Sequence, residues 1–286
     1  MSPEQSTSDL ILPAARQALE NAKLTADQLD LIIVATDTPD FVSPATAAVV
    51  QYKLGAKNAS FFDINSACAG FVTAVDLATK FIGCDPNYKN ILVVGAYGMT
   101  KYLNWDDYKI ASLFADGAGA AIVSESKDTT GILASKLYGD GQYNDFMGIY
   151  AGGTAKPVNQ EVLQAKDHLL NFAKKIPIET NSTHWPRLTS HLLDQIGGSP
   201  DQVSHFFMTQ ININSINETL DKLGVSRSKS HNIMDRYGYT GSAAVGMALA
   251  DAVNAHKLKK GDLIILLGSG GGLSMASLVM QWSYDT

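Results

Sequence analysis

Short apolar segments alternate along this chain with longer segments of helical periodicity. Residues 31–36, 91–95 and 263–268 are almost uninterrupted runs of Val, Ile, Leu and small residues. Strands with apolar residues on both faces, separated by helices, are typical of parallel sheets that are covered by helices on both sides. The pattern therefore predicts an α/β fold.

The same order of segments occurs twice. Cys68 opens an apolar helix and Gly95 closes the strand that follows it, and Gly241 and Gly268 do the same in the second half. Both pairs have one offset, since 241 − 68 = 173 and 268 − 95 = 173. A shared offset over separate landmarks predicts two similar halves.

The helix that begins at Cys68 is apolar on nearly all sides, which predicts that it lies between two sheets. Two halves that share such helices form five layers in the order αβαβα, and we place them at residues 1–125 and 126–286. The opening strand of the second half, at 131–137, has its counterpart before Met1, since 131 − 173 = −42. A misassigned start, a truncated chain and a shortened protein would each explain that difference.

Composition excludes several classes of function. The 286 residues carry a formal net charge of −6 without a Lys/Arg cluster, which argues against a nucleic-acid or anionic-membrane surface. No basic segment precedes an apolar one at the start, and no apolar run approaches the ~20 residues of a membrane span. The two cysteines form neither a disulfide framework nor a metal site. We expect a cytoplasmic protein without a metal ion.

Cys68 is the first candidate for chemistry. It lies where a strand is followed by a helix, among small residues that leave room for a substrate. A helix N-terminus carries roughly half a positive charge, which favours a thiolate over a thiol. The alternative is an unreactive core residue, which is common for free Cys. Cys84 lies in a helix-ending turn and is expected to be a bystander.

Three motifs carry a resemblance to a known family: residues 63–71 (DINSACAGF), 113–120 (LFADGAGA) and 268–272 (GSGGG). They resemble β-ketoacyl-acyl-carrier-protein synthase III of the thiolase superfamily, and the similarity is collinear along the whole chain. The resemblance implies a thiolase-like αβαβα fold and an acyltransferase. The family also begins with a strand and loop that this chain lacks.

By that resemblance Cys68 accepts an acyl group from a coenzyme A or carrier-protein thioester. The acyl-cysteine is then condensed with a malonyl-type thioester to a β-ketoacyl product, as in fatty acid or polyketide biosynthesis. The backbone N–H groups of Cys68 and Gly271 would stabilise the oxyanion. The thioesters are substrates, so the resemblance implies no permanently bound cofactor.

Two motif residues have a second interpretation. The run around Gly271 could be a phosphate-binding loop, but it lacks the lysine of GxxxxGK[ST] and follows a C-terminal strand. Asp116 could be a catalytic acid, but a turn residue that orders the backbone is the more usual role.

The chain departs from the family at two catalytic positions. The family's His and Asn, which bind the malonyl thioester oxygen during decarboxylation, correspond here to Thr209 and Tyr239. Gln210 and Asn212 match the family and are expected to bind substrate. Thr and Tyr donate hydrogen bonds, but neither becomes a cation near neutral pH, so the acid–base help of an imidazole is absent. The predicted catalytic residues are Cys68, Thr209 and Tyr239.

The histidines do not compensate for the missing imidazole. His205 lies in the strand before Thr209. The other five are in polar sequence contexts and are expected to be solvated: His168, His184, His191, His231 and His256.

Ser43 corresponds to a family position that narrows the acyl pocket from across a dimer and often bears a bulky residue. A smaller side chain leaves room for a longer or branched acyl group, unless Phe41 or Tyr239 fills the space. By the same resemblance we expect a homodimer, in which residues 91–94 pair the sheets and residues 41–50 cover the neighbouring pocket.

Three functions stay open at this point. The first is the condensing acyltransferase, with an acyl carrier protein as an expected partner. The second is an acyltransferase or thioester hydrolase that uses Cys68 without forming a carbon–carbon bond. The third is a partner subunit of a heterodimeric ketosynthase, against which the intact motif around Cys68 argues.

Overall fold

The computed structural model describes residues 1–126 and 128–286. In chain order its helices and strands are α1 (Thr7–Ala22), β1 (Leu31–Ala35), α2 (Thr46–Leu54), β2 (Ser60–Ile64), α3 (Gly70–Cys84), β3 (Asn90–Tyr97), α4 (Tyr108–Ala111), β4 (Gly117–Ser124), β5 (Gly131–Gly139), α5 (Gln160–Ala165), α6 (Thr180–Ile196), β6 (Val203–Met208), α7 (Ile213–Leu223), α8 (Met234–Tyr237), α9 (Ala244–Asn254), β7 (Leu263–Gly270) and β8 (Ser274–Gln281).

The strands form two sheets of four. In the first sheet the order is β2-β1-β3-β4, with β1 parallel to both neighbours and β4 antiparallel to β3. In the second sheet the order is β5-β8-β7-β6, with β6 parallel to β7 and β8 antiparallel to β7 and β5. The strands predicted from the apolar runs are present, and the α/β fold is confirmed.

Helices α3 and α9 lie between the two sheets. Helix α3 contacts β1 and β3 of the first sheet and β7 and β8 of the second, and its apolar side chains share one core with both. Helices α1 and α2 cover the outer face of the first sheet. Helices α6 and α7 cover the outer face of the second. This is the predicted αβαβα order.

The segment Ala67–Cys84 is long and apolar enough to cross a membrane by length and composition alone. The sequence interpretation overlooked it, because it counted only uninterrupted apolar residues. The segment is the inter-sheet helix α3 with its preceding turn, and half of it is buried inside the protein. A core helix between two sheets needs apolar residues on all sides, which accounts for this composition.

The repeat and its irregularities are visible in the sheets. Strand β5 pairs with β8, whereas among residues 1–126 and 128–286 no strand pairs with the outer edge of β4. The counterpart of β2 in the second half is reduced to a single bridge between Phe206 and Ser230.

All strands of the first sheet precede residue 125 and all strands of the second follow it. The division into domains at that point stays a prediction.

The strand predicted to pair the sheets of two subunits does not lie at an edge. Strand β3 contains residues 91–94 and hydrogen-bonds to β1 on one side and β4 on the other. Both of its edges are therefore used, and that prediction is wrong. The edge strands of the first sheet are β2 and β4. Local periodicity predicts a strand but carries no information about its place in the sheet.

The loop after β1 is fixed against the end of β2. The carboxylate of Asp63 accepts the N–H groups of Thr46 (2.6 Å) and Ala47 (2.8 Å), which are the first donors of helix α2. An acidic group at a helix N-terminus satisfies donors that have no partner inside the helix. Pro44 comes directly before Ala45, the N-cap residue of α2.

Candidate active site

Cys68 lies at the carboxyl edge of the first sheet, in a turn that follows β2. Residues Ala67–Ala69 form one turn of 3₁₀ helix before α3 begins, and Ala67 has a φ of 47°. This left-handed conformation is unfavourable for a residue with a side chain, and the surrounding packing has to maintain it. The turn holds the thiol at the N-terminus of α3, with Cys68 only 4% exposed.

The end of β7 approaches the backbone of Cys68 very closely. A Cβ atom at Gly270 would lie 2.6 Å from the backbone nitrogen of Cys68 and 2.7 Å from the Cβ of Ala67. Only glycine permits this approach. Gly271 is the next residue along the chain, after the end of β7. Within the described part of the chain, no other residue accepts a hydrogen bond from the N–H of Cys68 or of Gly271.

An apolar cluster surrounds the thiol. Aromatic rings form one wall of it, since the Phe114 ring centroid lies 5.6 Å from that of Tyr239 and 6.2 Å from that of Tyr97. The other buried members are Met99, Leu103, Leu170, Ala243 and Ala244. Such a lining suits the hydrocarbon part of an acyl group better than a polar substrate.

Tyr239 lies beside Cys68. It is 1% exposed, its N–H donates to the Leu113 carbonyl (3.0 Å), and its carbonyl accepts the Ala115 N–H (2.9 Å). Burial, with a further contribution from a charge on Cys68, raises the pKa of Tyr239 well above its ordinary value. The hydroxyl therefore stays neutral and can donate a hydrogen bond at any physiological pH.

Thr209 is next to Tyr239 and is also buried. Its Oγ1 accepts the Ser269 N–H (2.9 Å), and its own N–H donates to the Leu267 carbonyl (2.9 Å). The hydroxyl of Thr209 lowers the pKa of Tyr239, and the hydroxyl of Tyr239 lowers the pKa of Cys68. The structure thus brings the three residues that were predicted as catalytic to one place.

Gln210 and Asn212 make contacts within the protein. The amide of Gln210 donates to the His231 carbonyl (2.9 Å) and accepts the Ile233 N–H (2.7 Å). Asn212 is the N-cap of α7, where its side chain accepts the Asn214 N–H (3.0 Å). Both side chains hold the segments that flank Thr209. Their role in substrate binding stays a prediction.

Ser43 lies in an exposed loop away from the apolar cluster. With Phe41, Phe61 and Asn65 it lines an open groove of about 460 Å³. Its role in shaping a neighbouring acyl pocket stays a prediction. Val42, in the same loop, is 89% exposed.

Asp37 is a candidate that the sequence interpretation missed. It follows β1 as Cys68 follows β2, and parallel neighbours end at the same edge of a sheet. Its Oδ1 is sealed from solvent and has no hydrogen-bond partner among the described residues. Burial raises the pKa of Asp37 to about 6. The sequence signal that could have identified Asp37 is an acidic residue two positions after the apolar run that forms β1.

The thiol of Cys68 is protonated at neutral pH. Burial, followed by the negative charge of Asp37, raises the pKa of Cys68 to about 12, and the hydrogen bond from Tyr239 opposes this only in part. The expectation that the helix N-terminus favours a thiolate is therefore wrong. Desolvation in the apolar cluster outweighs the helix dipole, so attack by this thiol requires a group that accepts its proton.

The histidines do not supply that group. His231 was expected to be solvated but is 6% exposed, and its Nε2 lies 2.7 Å from Oδ2 of Asp251. Burial lowers the pKa of half-buried His205. In the described part of the chain no histidine contributes to the pKa of Cys68 or of Tyr239.

Asp116 and Cys84 were expected to take no direct part in the reaction. Asp116 accepts the Thr100 N–H (2.8 Å) and the Thr100 hydroxyl, which is the backbone-ordering role predicted for it. Cys84 is exposed at the end of α3, apart from the apolar cluster.

Comparisons with known proteins agree with this geometry. Two models of 3-oxoacyl-[acyl-carrier-protein (ACP)] synthase III match, one over residues 62–141 and its C-terminal counterpart over residues 193–282. A β-ketoacyl-[acyl-carrier-protein] synthase III of Caldanaerobacter subterraneus subsp. tengcongensis is 37% identical over 281 residues, which is 98% of this chain and 85% of that protein.

Two solved structures share the fold. The 3-oxoacyl-[acyl-carrier-protein] synthase III of Aquifex aeolicus superposes with a TM-score of 0.88 at 32% identity, over 99% of this chain and 86% of its own. The priming β-ketosynthase from the R1128 polyketide pathway superposes with a TM-score of 0.87 at 25% identity, over 100% of this chain and 84% of its own. This chain therefore belongs to the 3-oxoacyl-[acyl-carrier-protein] synthase III family of condensing acyltransferases.

Proposed function

We propose that this protein loads an acyl group onto Cys68 and condenses it with a malonyl-type thioester to a β-ketoacyl product. Two observations support the proposal: Cys68 and Tyr239 share one buried cluster, and Gly270, directly before Gly271, packs against the backbone of Cys68. A nucleophile, two backbone donors and a neutral hydroxyl are the parts that acyl transfer followed by condensation requires.

Loading begins with the thiol of Cys68 and the carbonyl carbon of an acyl thioester. The sulfur attacks, and the carbonyl oxygen becomes an oxyanion that accepts the N–H groups of Cys68 and Gly271. The intermediate collapses, the thiol of coenzyme A or of the carrier protein leaves, and an acyl-cysteine remains. Each well-aimed backbone donor contributes about 3 kcal/mol to this step.

Condensation uses the second thioester. Loss of carbon dioxide from the malonyl group leaves its electron pair as an enolate, and the Tyr239 hydroxyl donates a hydrogen bond to the enolate oxygen. The enolate carbon attacks the acyl carbonyl, and Cys68 leaves as the thiolate, which is then protonated. The hydroxyl of Thr209, which accepts the Ser269 N–H, also acts on the Tyr239 hydroxyl and positions it.

The substrates follow from the lining of the site. The apolar cluster accepts an aliphatic acyl chain, and the small side chain of Ser43 leaves room for a longer or branched one. One carrier is an acyl carrier protein, as the names of the relatives indicate, and the other is coenzyme A, as the family resemblance implies, without a permanently bound cofactor. A cytoplasmic location belongs to the same proposal.

An acyltransferase or hydrolase that does not decarboxylate is the second candidate. The observation in its favour is that the hydroxyl of Thr209, at the position of the family's His, already donates to the Ser269 carbonyl (3.4 Å) at the end of β7. Only Tyr239 then remains to stabilise an enolate. The two candidates share the loading step and differ in condensation.

Tyr239→Phe separates these candidates. If Tyr239 binds the enolate, the substitution should slow β-ketoacyl formation by about 10²–10³-fold and leave loading of Cys68 nearly unchanged. Mass spectrometry of the protein reports loading, and chromatography of the products reports condensation. Tyr237→Phe is the matched control, because Tyr237 is half-exposed and only two residues away. Equal effects on both steps would contradict the assigned role.

We further propose a homodimer formed through the edge strand β2 and the loop that precedes α2. Phe61 on β2 and Val42 in the loop are exposed apolar side chains beside the groove that Ser43 lines. An unpaired strand edge flanked by apolar groups is a favourable surface for pairing with a second copy. A heterodimer with a related subunit is the alternative partner.

Phe61→Asp should disrupt this dimer, because two carboxylates would face each other across the two-fold axis. Light scattering at micromolar concentration should give the dimer mass for the native protein and the monomer mass for the variant. Leu133→Asp is the control, since Leu133 has similar exposure on β5 of the other sheet. A monomeric native protein would rule out the proposed homodimer.

A further inference from the structure

A carboxylate without a partner lies at the carboxyl edge of the first sheet. Oδ1 of Asp37 is sealed from solvent, and no hydrogen bond satisfies it in the described part of the chain. Asp37 as a whole is partly exposed, but the desolvation of this carboxylate makes its ionisation costly, and only the N–H of Asp37 itself opposes that cost. Perturbed groups cluster at active sites, so a carboxylate in this state is a candidate for function.

We propose that Asp37 is the acid–base residue of this site, which accepts the proton of the Cys68 thiol and returns it to the departing thiol. The inference rests on the proposed function, because it concerns the loading step of the same site. It assigns to a residue after β1 the proton transfer for which no histidine is available.

The charge of Asp37 reaches the nucleophile and three phenols. Its charge acts on Cys68 in the turn after β2, on Tyr97 at the end of β3, on Tyr102 in the turn that follows, and on Tyr239. No lysine, arginine or histidine of residues 1–126 and 128–286 contributes to the pKa of Asp37. The carboxylate is therefore not held in an ion pair.

The two ionisable groups have complementary states at neutral pH. With a pKa of about 12, Cys68 carries its proton, and with a pKa of about 6, Asp37 has lost most of its own. A base is most effective when its pKa lies near the working pH. Asp37 meets this condition because burial has raised its pKa above that of an ordinary aspartate.

The step balances without a further reactant. No hydrogen bond joins the two side chains, so the S–H bond of Cys68 breaks as its proton moves to Asp37 through one bridging water. The sulfur forms a bond to the carbonyl carbon of the thioester. When the tetrahedral intermediate collapses, the bond to the leaving sulfur breaks, and that thiolate takes the proton from Asp37. The products are the acyl-cysteine, a free thiol and the Asp37 carboxylate.

The test is the pH dependence of loading, measured as the mass increase of the intact protein in the presence of acetyl- or hexanoyl-coenzyme A. The native rate should rise through about pH 6 and then level off, because further ionisation of Asp37 ends there. Asp37→Asn should reduce the rate at pH 7 by about 10²–10³-fold and remove the levelling, so that the rate rises with hydroxide concentration.

A purely electrostatic role predicts the opposite sign. Removing the negative charge of Asp37 lowers the pKa of Cys68, so Asp37→Asn would then load as fast as the native protein or faster. That result would overturn the inference. Asp40→Asn, in the same loop, is the matched control, since Asp40 accepts the N–H of Ser8 and does not act on the thiol.

The pH dependence of loading by the native protein tests the role of Asp37 even if Asp37→Asn does not fold. A native rate that climbs tenfold per pH unit up to pH 9 indicates that hydroxide removes the proton, and it would overturn the role of Asp37. Native protein that gains no mass from any acyl thioester would instead refute the proposed function, and the inference with it.

Discussion

Cys68→Ala should abolish acyl loading, so that incubation with an acyl-coenzyme A leaves the mass of the protein unchanged. Alanine keeps the size of the turn but has no sulfur to form the thioester, and no other side chain near Gly271 is a nucleophile of similar strength. Production of β-ketoacyl thioester should fall to background in the same variant. Peptide mapping of the loaded native protein should find the added mass on Cys68.

Cys84→Ala is the control for this prediction. Cys84 is the second free cysteine and is exposed, so it reports any non-specific acylation of thiols. Its replacement should change neither the rate nor the extent of loading. Acyl mass that persists in Cys68→Ala, or that maps to Cys84, would contradict the assignment of the nucleophile.

Asp37→Asn should stabilise the folded protein while it impairs loading. Burial raises the folded-state pKa of Asp37 to about 6 from 3.8, so ionising this residue costs free energy in the folded state. The folded protein binds more protons than the unfolded chain between these values, so this residue lowers stability as pH rises from about 4 to 6. Above pH 6 the loss is complete, at about 3 kcal/mol.

Urea denaturation at pH 4 and at pH 8 measures this effect. The stability advantage of Asp37→Asn over the native protein should be under about 1 kcal/mol at pH 4 and approach ~3 kcal/mol at pH 8. A neutral amide of the same shape carries no charge to desolvate, which is why the slope disappears. An advantage that does not change with pH would mean that Asp37 is ionised in the folded protein as easily as in the unfolded chain.

The elements predicted best from the sequence are those whose local pattern reflects their surroundings directly. The runs that became β1, β3 and β7 are apolar because helices cover both faces of the sheets. Helix α3 is apolar on all sides because it lies between two sheets. Cys68, Thr209 and Tyr239 could be proposed as one site because the family motifs around them are collinear with this chain, and their catalytic roles stay predictions.

The features missed are tertiary. An aspartate after a strand resembles any turn residue until the fold buries it, as happens to Asp37. His231 lies among polar residues in the sequence, yet its N–H donates to the Phe206 carbonyl of β6 and its ring hydrogen-bonds to Asp251, which together enclose it. The pKa of Cys68 depends on desolvation by side chains from several elements, which the local helix dipole does not reveal.

The most direct test of the whole account is formation of a β-ketoacyl product by the native protein. The protein is supplied with an acyl-coenzyme A and with carbon-13-labelled malonyl thioester, as malonyl-coenzyme A or malonyl-carrier protein, and the products are identified by mass spectrometry. We predict a β-ketoacyl thioester that is two carbons longer than the acyl donor and carries both labelled carbons, together with release of labelled carbon dioxide. Normal loading of Cys68 without any extended product would contradict condensation and leave acyl transfer as the function of this site.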